Sequence, residues 1–308
     1  IFIPILSDKL FLTKSFAFTL PPKSTKSWDL VNEFKLGKNE NPYSYSIEFM
    51  SSPVWMAIRS FPDIIFNKND PSSTFLADKL LILALAKKIA QVHPEIQNII
   101  QAWKRDGNAA SNLYKNMDLK DVDISETPWL QDAIEEETRA ENLEMIFSTN
   151  MLENDLNVTL QKLQSLQNSD GGFGWVGGYS DLWGTCFVLE RLADMQKYSS
   201  GTALPMSPEN ALSYLDSTWQ LYFNRLNMNK ESMKNYIPSE FDNFILMTRS
   251  KYKNLTVKGD NQEVYNFMKQ QSTKSWTKLS YISQAYFAIA LANENNPLAV
   301  SIIHSLRN

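Results

Sequence analysis

From residue 51 onward, apolar positions recur every three to four residues, the spacing of helices that bury one face. Ser52 and Pro53 read as the N-cap and first residue of a helix carrying Trp55, Ile58 and Phe61. Pro62 and the polar run 67–73 interrupt it. Residues 75–92 are apolar on most sides (Leu80, Leu81, Ile82, Leu83, Leu85), which predicts a central, well-buried helix closed by His93-Pro94. A shorter helix over 94–103 and a polar connection over 107–122 follow. Ser125-Glu126-Thr127-Pro128-Trp129-Leu130 starts a new helical group, with Leu143, Ile146 and Phe147 on its apolar side. Further helices are expected over 151–167, 208–223, 239–250, 263–271, 280–293 and 297–306.

The first 49 residues have a different period. Phe16 to Leu20 and Tyr43 to Phe49 alternate apolar with polar, as strands do, around a Pro21-Pro22 loop and a third candidate strand near 30–36. The expected organisation is a β segment over 1–49, part of a β-sandwich or a linker, leading into a helical body over 50–308.

The helical body has a recurring unit, clearest at 160–192. An apolar helix (Leu160, Leu163, Leu166) closes on Gln167, and Asn168-Ser169-Asp170-Gly171-Gly172 makes a turn. Phe173 and Trp175 follow, then a second apolar helix with Leu182, Cys186, Leu189 and Leu192. Asp170, Gly171 and Gly172 suit a helix end that needs positive φ. Phe173 and Trp175 read as wedges between hairpins, and Ser180 as the N-cap of the second helix. A similar unit runs from Phe267 through Gln271 and Trp276 to Ile282, Ala285 and Ile289, its tryptophan 101 positions after Trp175. Hairpins repeated at about 50 residues mark a helical solenoid or closed toroid, with both tryptophans buried at one end. The fold class expected is mainly α: an α/α toroid with a small N-terminal β lead-in.

Composition narrows the function classes. At 308 residues and 43% hydrophobic, the chain can bury a substantial core. Net charge is −4 with scattered basic residues, which argues against nucleic acid as a partner. No apolar run reaches membrane-spanning length. The chain opens at Ile1 without the charged region of a signal peptide, so it is expected to be a fragment with any targeting segment upstream. His93, His304 and the single Cys186 have no metal-ligand spacing, and no phosphate loop follows a strand. Glu135, Glu136, Glu137, Glu141 and Glu144 fall on a polar helix face, where acids need no catalytic role. No cofactor or metal is expected, and Cys186 is expected to be an inert core thiol.

Four stretches in order resemble a known family: Ser-Ser-Pro-Val-Trp-Met-Ala-Ile (51–58), Ser-Glu-Thr-Pro-Trp-Leu (125–130), Leu-Gln-Asn-Ser-Asp-Gly-Gly-Phe-Gly-Trp (166–175) and Gly-Gly-Tyr-Ser (177–180). Together they are similar to the thioester-domain region of bacterial alpha-2-macroglobulins, over about residues 40–308. The resemblance implies an α/α toroid that interrupts a β domain, within a cell-envelope or secreted protease trap. It also implies a reactive Cys-x-Glu-Gln in the loop after the first helix. Asp70 falls at the Cys position, Ser72 at Glu and Ser73 at Gln. A carboxylate and a hydroxyl cannot form that thioester, and Cys186 is over a hundred residues away. The expectation is a non-enzymatic, thioester-less domain that acts by non-covalent trapping or protein binding, with proteases or envelope proteins as partners. The alternative is an enzyme on the same toroid, terpenoid cyclase-like or polysaccharide-active, with Asp170 or Glu126 in the cavity.

Overall fold

The structure, a computed structural model, describes residues 14, 16, 18–21, 23–38, 40, 53–67, 71–105, 138–175, 178–198, 206–226 and 229–307. The chain divides into two compact units, Ile1–Ser51 and Ser52–Asn308.

In the first unit no strand is present among the described residues. Residues 16 and 18–20 have no regular structure, and the expected strand at 43–49 lies outside the described residues. Where a third strand is expected, Leu30–Glu33 forms a single helical turn, α1. Its cause is local: Asp29 is the N-cap and accepts from the Asn32 amide at 3.3 Å. Phe18 spends its apolar face on Trp28, ring centroids 4.5 Å apart, rather than on a sheet.

The second unit is mainly helical. Its elements are α2 (Pro53–Arg59), α3 (Phe61–Ile65), α4 (Ser73–Val92), α5 (Ile96–Arg105), α6 (138–146), α7 (Thr149–Ser165), α8 (Leu182–Tyr198) and α9 (Glu209–Arg225). Then come α10 (Lys230–Lys234), α11 (Glu240–Ser250), α12 (Asn261–Ser275), a 3-10 turn at Trp276–Lys278, α13 (Tyr281–Asn293) and α14 (Leu298–Arg307).

The all-round apolar character of α4 has a physical explanation, because it serves two cores. Leu76, Ala77, Leu80 and Ala84 join the larger core, with Leu189, Leu215, Ile245, Met268 and Phe287. Leu83 and Ala86 join a smaller one, with Ile58, Phe61, Ile100, Leu143 and Phe147. Helices α4, α8, α11 and α13 pack in succession, forming a contiguous row. Helices α7, α9, α12 and α14 each pack against one member of that row, in the same order. The result is an array of helical hairpins running from α4 to α14. No contact of comparable extent between α14 and α4 closes it among the described residues.

In the middle of the row, α11 is buried from Asp242 to Ser250. Its polar residues therefore need internal partners. Asn243 donates to the Ser239 carbonyl at 2.9 Å and accepts from Ser272 at 2.8 Å. Thr248 accepts from Cys186 at 3.3 Å. No described helix is long and apolar enough to cross a membrane.

Candidate functional site

The site begins at the start of α4. Asp70 lies outside the described residues. Ser72 is the N-cap, with extended backbone, and its hydroxyl accepts from the Phe75 amide at 3.2 Å. The next side chain points elsewhere. Ser73 is wholly buried, and its hydroxyl donates to the Gly174 carbonyl at 2.6 Å. Two stretches a hundred residues apart, the polar loop before α4 and the Asp-Gly-Gly turn, thus meet in one hydrogen bond. That bond commits the Ser73 proton to a carbonyl rather than to a base.

The turn is held from inside. Asp170 is exposed, and its Oδ1 accepts from the Gly172 amide at 2.9 Å and from the Ser180 hydroxyl at 2.7 Å. Asn168 donates through Nδ2 to the Gly178 carbonyl at 2.8 Å. Gly171 has φ of +90°, and a Cβ there would fall on the Asn210 carbonyl oxygen. At Gly172 a Cβ would meet the Ser180 side chain. Gly171 is thus required by conformation and by close approach, and Gly172 by close approach.

Phe173 is the wedge expected from sequence: it has no exposed surface and bridges Gln167 on one side and Asp181 on the other. Thr185 fixes it by accepting from its amide at 2.8 Å. Two expectations are corrected here. Ser180 does not cap α8, because its hydroxyl is used by Asp170. Asp181 caps instead, its Oδ1 accepting from the Gly184 amide at 2.7 Å. Trp175 is not buried; it is 53% exposed and leans on Trp183 with centroids 5.6 Å apart. Trp276, by contrast, is half-buried against the larger core. The two tryptophans share a place in the sequence pattern but not an environment. An indole can stay half wet when a second ring covers one face.

Sequence spacing gave no sign of what Trp175 leads into. Trp183 stacks on Phe187 at 5.6 Å, and Phe244 packs on Tyr286 at 5.2 Å. This aromatic row runs across α8, α11 and α13. The Arg191 guanidinium lies over Phe187, 4.5 Å from its centroid. Arg191 also pairs with Asp78 of α4 and with Glu190, each at 2.6 Å. Glu190 continues to Lys251 at 2.5 Å, and Lys251 to Asp194 at 2.9 Å. Acids and bases alternate along this ladder and tie α4, α8 and the end of α11 together.

Cys186 stands on the buried face of α8 with no exposed surface. Burial pushes its thiol up to about 12, so the nucleophilic thiolate is strongly disfavoured. Glu126, like Glu135, Glu136 and Glu137, lies outside the described residues, and no cluster of metal-binding side chains occurs among the described ones. Compared with protein-family models, with curated proteins and with solved structures, the chain matches none.

Proposed function

We propose that residues 52–308 are a thioester-less alpha-2-macroglobulin-like domain of the α/α-toroid type, non-enzymatic, that binds proteins. The parent protein would be a protease trap of the cell envelope or extracellular space, acting without covalent capture. One observation carries the reading. Ser73, at the position where the family places the thioester glutamine, donates to Gly174 within the Asp-Gly-Gly-Phe-Gly-Trp turn. The loop in which the chain departs from the family's reactive motif thus touches one of the four stretches that carry the resemblance. The row of α4, α8, α11 and α13, each backed by a second helix, supports the toroid type. The exposed rings of Trp175 and Trp183 beside this junction offer the kind of surface on which a protein segment packs.

Asp170 fits this reading better than the toroid-enzyme alternative. Its carboxylate organises an exposed turn through Gly172 and Ser180, whereas a proton donor would need a dry cavity. The experiment treats the protein with methylamine and follows intact mass and free thiol. It then measures capture of a panel of proteases by wild type and by Trp183→Ala, beside a hydrolase and cyclase screen. The expected result is no methylamine uptake, no new thiol, and protease capture weakened by the substitution. Covalent uptake at residues 66–78 would overturn the thioester-less reading. Turnover lost in Asp170→Asn would overturn the non-enzymatic one.

A further inference from the structure

The row of helices is closed differently at its two ends. At the α4 end, Leu83 and Ala86 are covered by Ile58, Phe61, Ile100, Leu143 and Phe147 of the smaller core. At the other end α13 packs on α11 and is backed by α14, and no contact of comparable extent covers its remaining side among the described residues. Ile282 and Ile289 stand there 49% and 44% exposed, with Ala285 half-buried and Ala292 exposed. Their spacing of three, four and three residues places all four on one face of the helix, a seam of the kind that packs against another helix. The terminal unit of a helical array needs a polar outer face to stay in solution. This one is apolar, so it has the character of an interior face.

Charge and side-chain size decide what fits this face. From Leu279 to Asn308 the only acidic or basic residues besides His304 are Glu294 and Arg307, in a chain that is 21% charged. Glu294 is engaged within its own chain, accepting from Tyr265 at 3.0 Å and pairing with Lys269. His304 and Arg307 belong to α14, not to the seam. A two-fold contact sets a patch against a copy of itself, so a charge near the axis would face its like. The seam carries none. Its residues also alternate large and small: Ile282, Ala285, Ile289, Ala292. In a second helix running antiparallel across a two-fold axis the order is reversed, to Ala, Ile, Ala, Ile. Ile282 then meets Ala292 of the second copy, Ala285 meets Ile289 of the second copy, and the symmetry repeats both pairs. Every large side chain faces a small one, the condition under which facing layers interdigitate.

We propose that the exposed seam of α13 is a homodimer interface, on which a second copy of this chain packs its own α13 antiparallel about a two-fold axis. The axis passes at the level of Phe287, the midpoint of both pairings. The 13 residues of α13 make a helix about 20 Å long. The seam is therefore a small interface, and a reversible dimer with Kd on the order of 10 μM is expected. The inference does not rest on the Ser73–Gly174 junction or on the function proposed for it.

The test measures the mass of the intact chain by sedimentation and light scattering over a concentration range of about 1–300 μM, which brackets that Kd. A monomer–dimer equilibrium is expected. Ile282→Glu and Ile289→Glu each put a pair of like charges into an apolar contact, and each should raise Kd by about tenfold or more. Both positions are exposed, so circular dichroism and the urea midpoint should stay as in wild type. The pairing is read by mixing Ala285→Cys with Ile289→Cys under oxidising conditions. The mixture should give a covalent dimer, because the two positions face each other across the axis. Either variant alone should cross-link far less, its paired positions being offset along the helices. Cys186 is buried and does not compete. A monomer at every concentration would overturn the proposal and leave the seam to a further helical hairpin. A dimer that survives both Glu variants would use another surface and would overturn it too, as would cross-linking equally efficient in each single variant and in the mixture.

Discussion

Asp170, Gly171 and Gly172 each answer a different physical demand of one turn. Asp170 provides an acceptor, Gly171 a backbone with φ of +90°, and Gly172 room for Ser180. Substitutions should therefore rank by which demand they break. Asp170→Asn keeps an oxygen for the Gly172 amide and the Ser180 hydroxyl, and should change stability by under about 1 kcal/mol. Asp170→Ala removes the acceptor and should cost about 1–2 kcal/mol. Gly171→Ala adds a Cβ against the Asn210 carbonyl in a left-handed conformation, and should cost about 2–4 kcal/mol. Urea midpoints of the three variants check the order. An Asn variant weaker than the Ala variant would mean that charge, not hydrogen-bond acceptance, holds the turn.

Between helices, the corresponding hub is Asp242, a first-turn residue of α11 with 1% exposure. Its carboxylate closes a capping box with Ser239, accepting from the Ser239 amide at 2.8 Å and hydroxyl at 2.7 Å. It also accepts from Trp219 Nε1 of α9 at 2.9 Å and from the Tyr236 hydroxyl at 3.2 Å. Asp242→Ala should cost about 3–5 kcal/mol, because the buried Trp219 donor and three part-buried ones lose their acceptor together. Ser239→Ala should cost only about 1 kcal/mol, the scale of one cap. Denaturation followed by tryptophan emission and by circular dichroism measures both, and equal costs would reduce Asp242 to an ordinary cap. The contrast shows what was legible in the sequence. Helices such as α9, α11 and α13 were readable from apolar period and capping residues, because those signals are local. The Asp242–Trp219 bond, the Arg191 ladder and the Arg249–Asp216 pair join residues on different helices, and no spacing encodes them. Local signals also failed where two candidates competed: Ser180 and Asp181 can both cap α8, and Asp170 takes up the serine. At α1 the Asp29 cap outweighed an apolar run that reads equally well as strand.

Across the helical array, charge burial makes stability depend on pH in two opposed ways. Burial works against ionisation of Asp194, but hydrogen bonds from Lys197 and Lys251 outweigh it and hold the carboxyl at about 2. An unfolded aspartate titrates near about 3.9. A depressed folded value means that the stabilisation is present above about pH 4 and is lost as pH falls towards 2. Asp216 has the reverse sign. Burial raises its carboxyl to about 6 against the attraction of Arg249, so the folded state binds this proton more tightly than the unfolded chain. Its contribution is complete below about pH 4 and is lost as pH rises through 6. The loss is at most about 3 kcal/mol, two pK units of linkage. Asp216→Asn carries no charge at any pH, so it should remove the decline of unfolding free energy that wild type shows between about pH 4 and 6 from this group. Asp194→Asn should leave that decline intact and flatten the one between about pH 4 and 2. Urea titrations of the three proteins at half-unit pH steps read both limbs, and each group is isolated by subtracting variant from wild type. An Asp216→Asn curve parallel to wild type above pH 4 would show that Arg249 keeps this carboxylate ionised throughout. The pair would then be a matched internal salt bridge rather than a strained one.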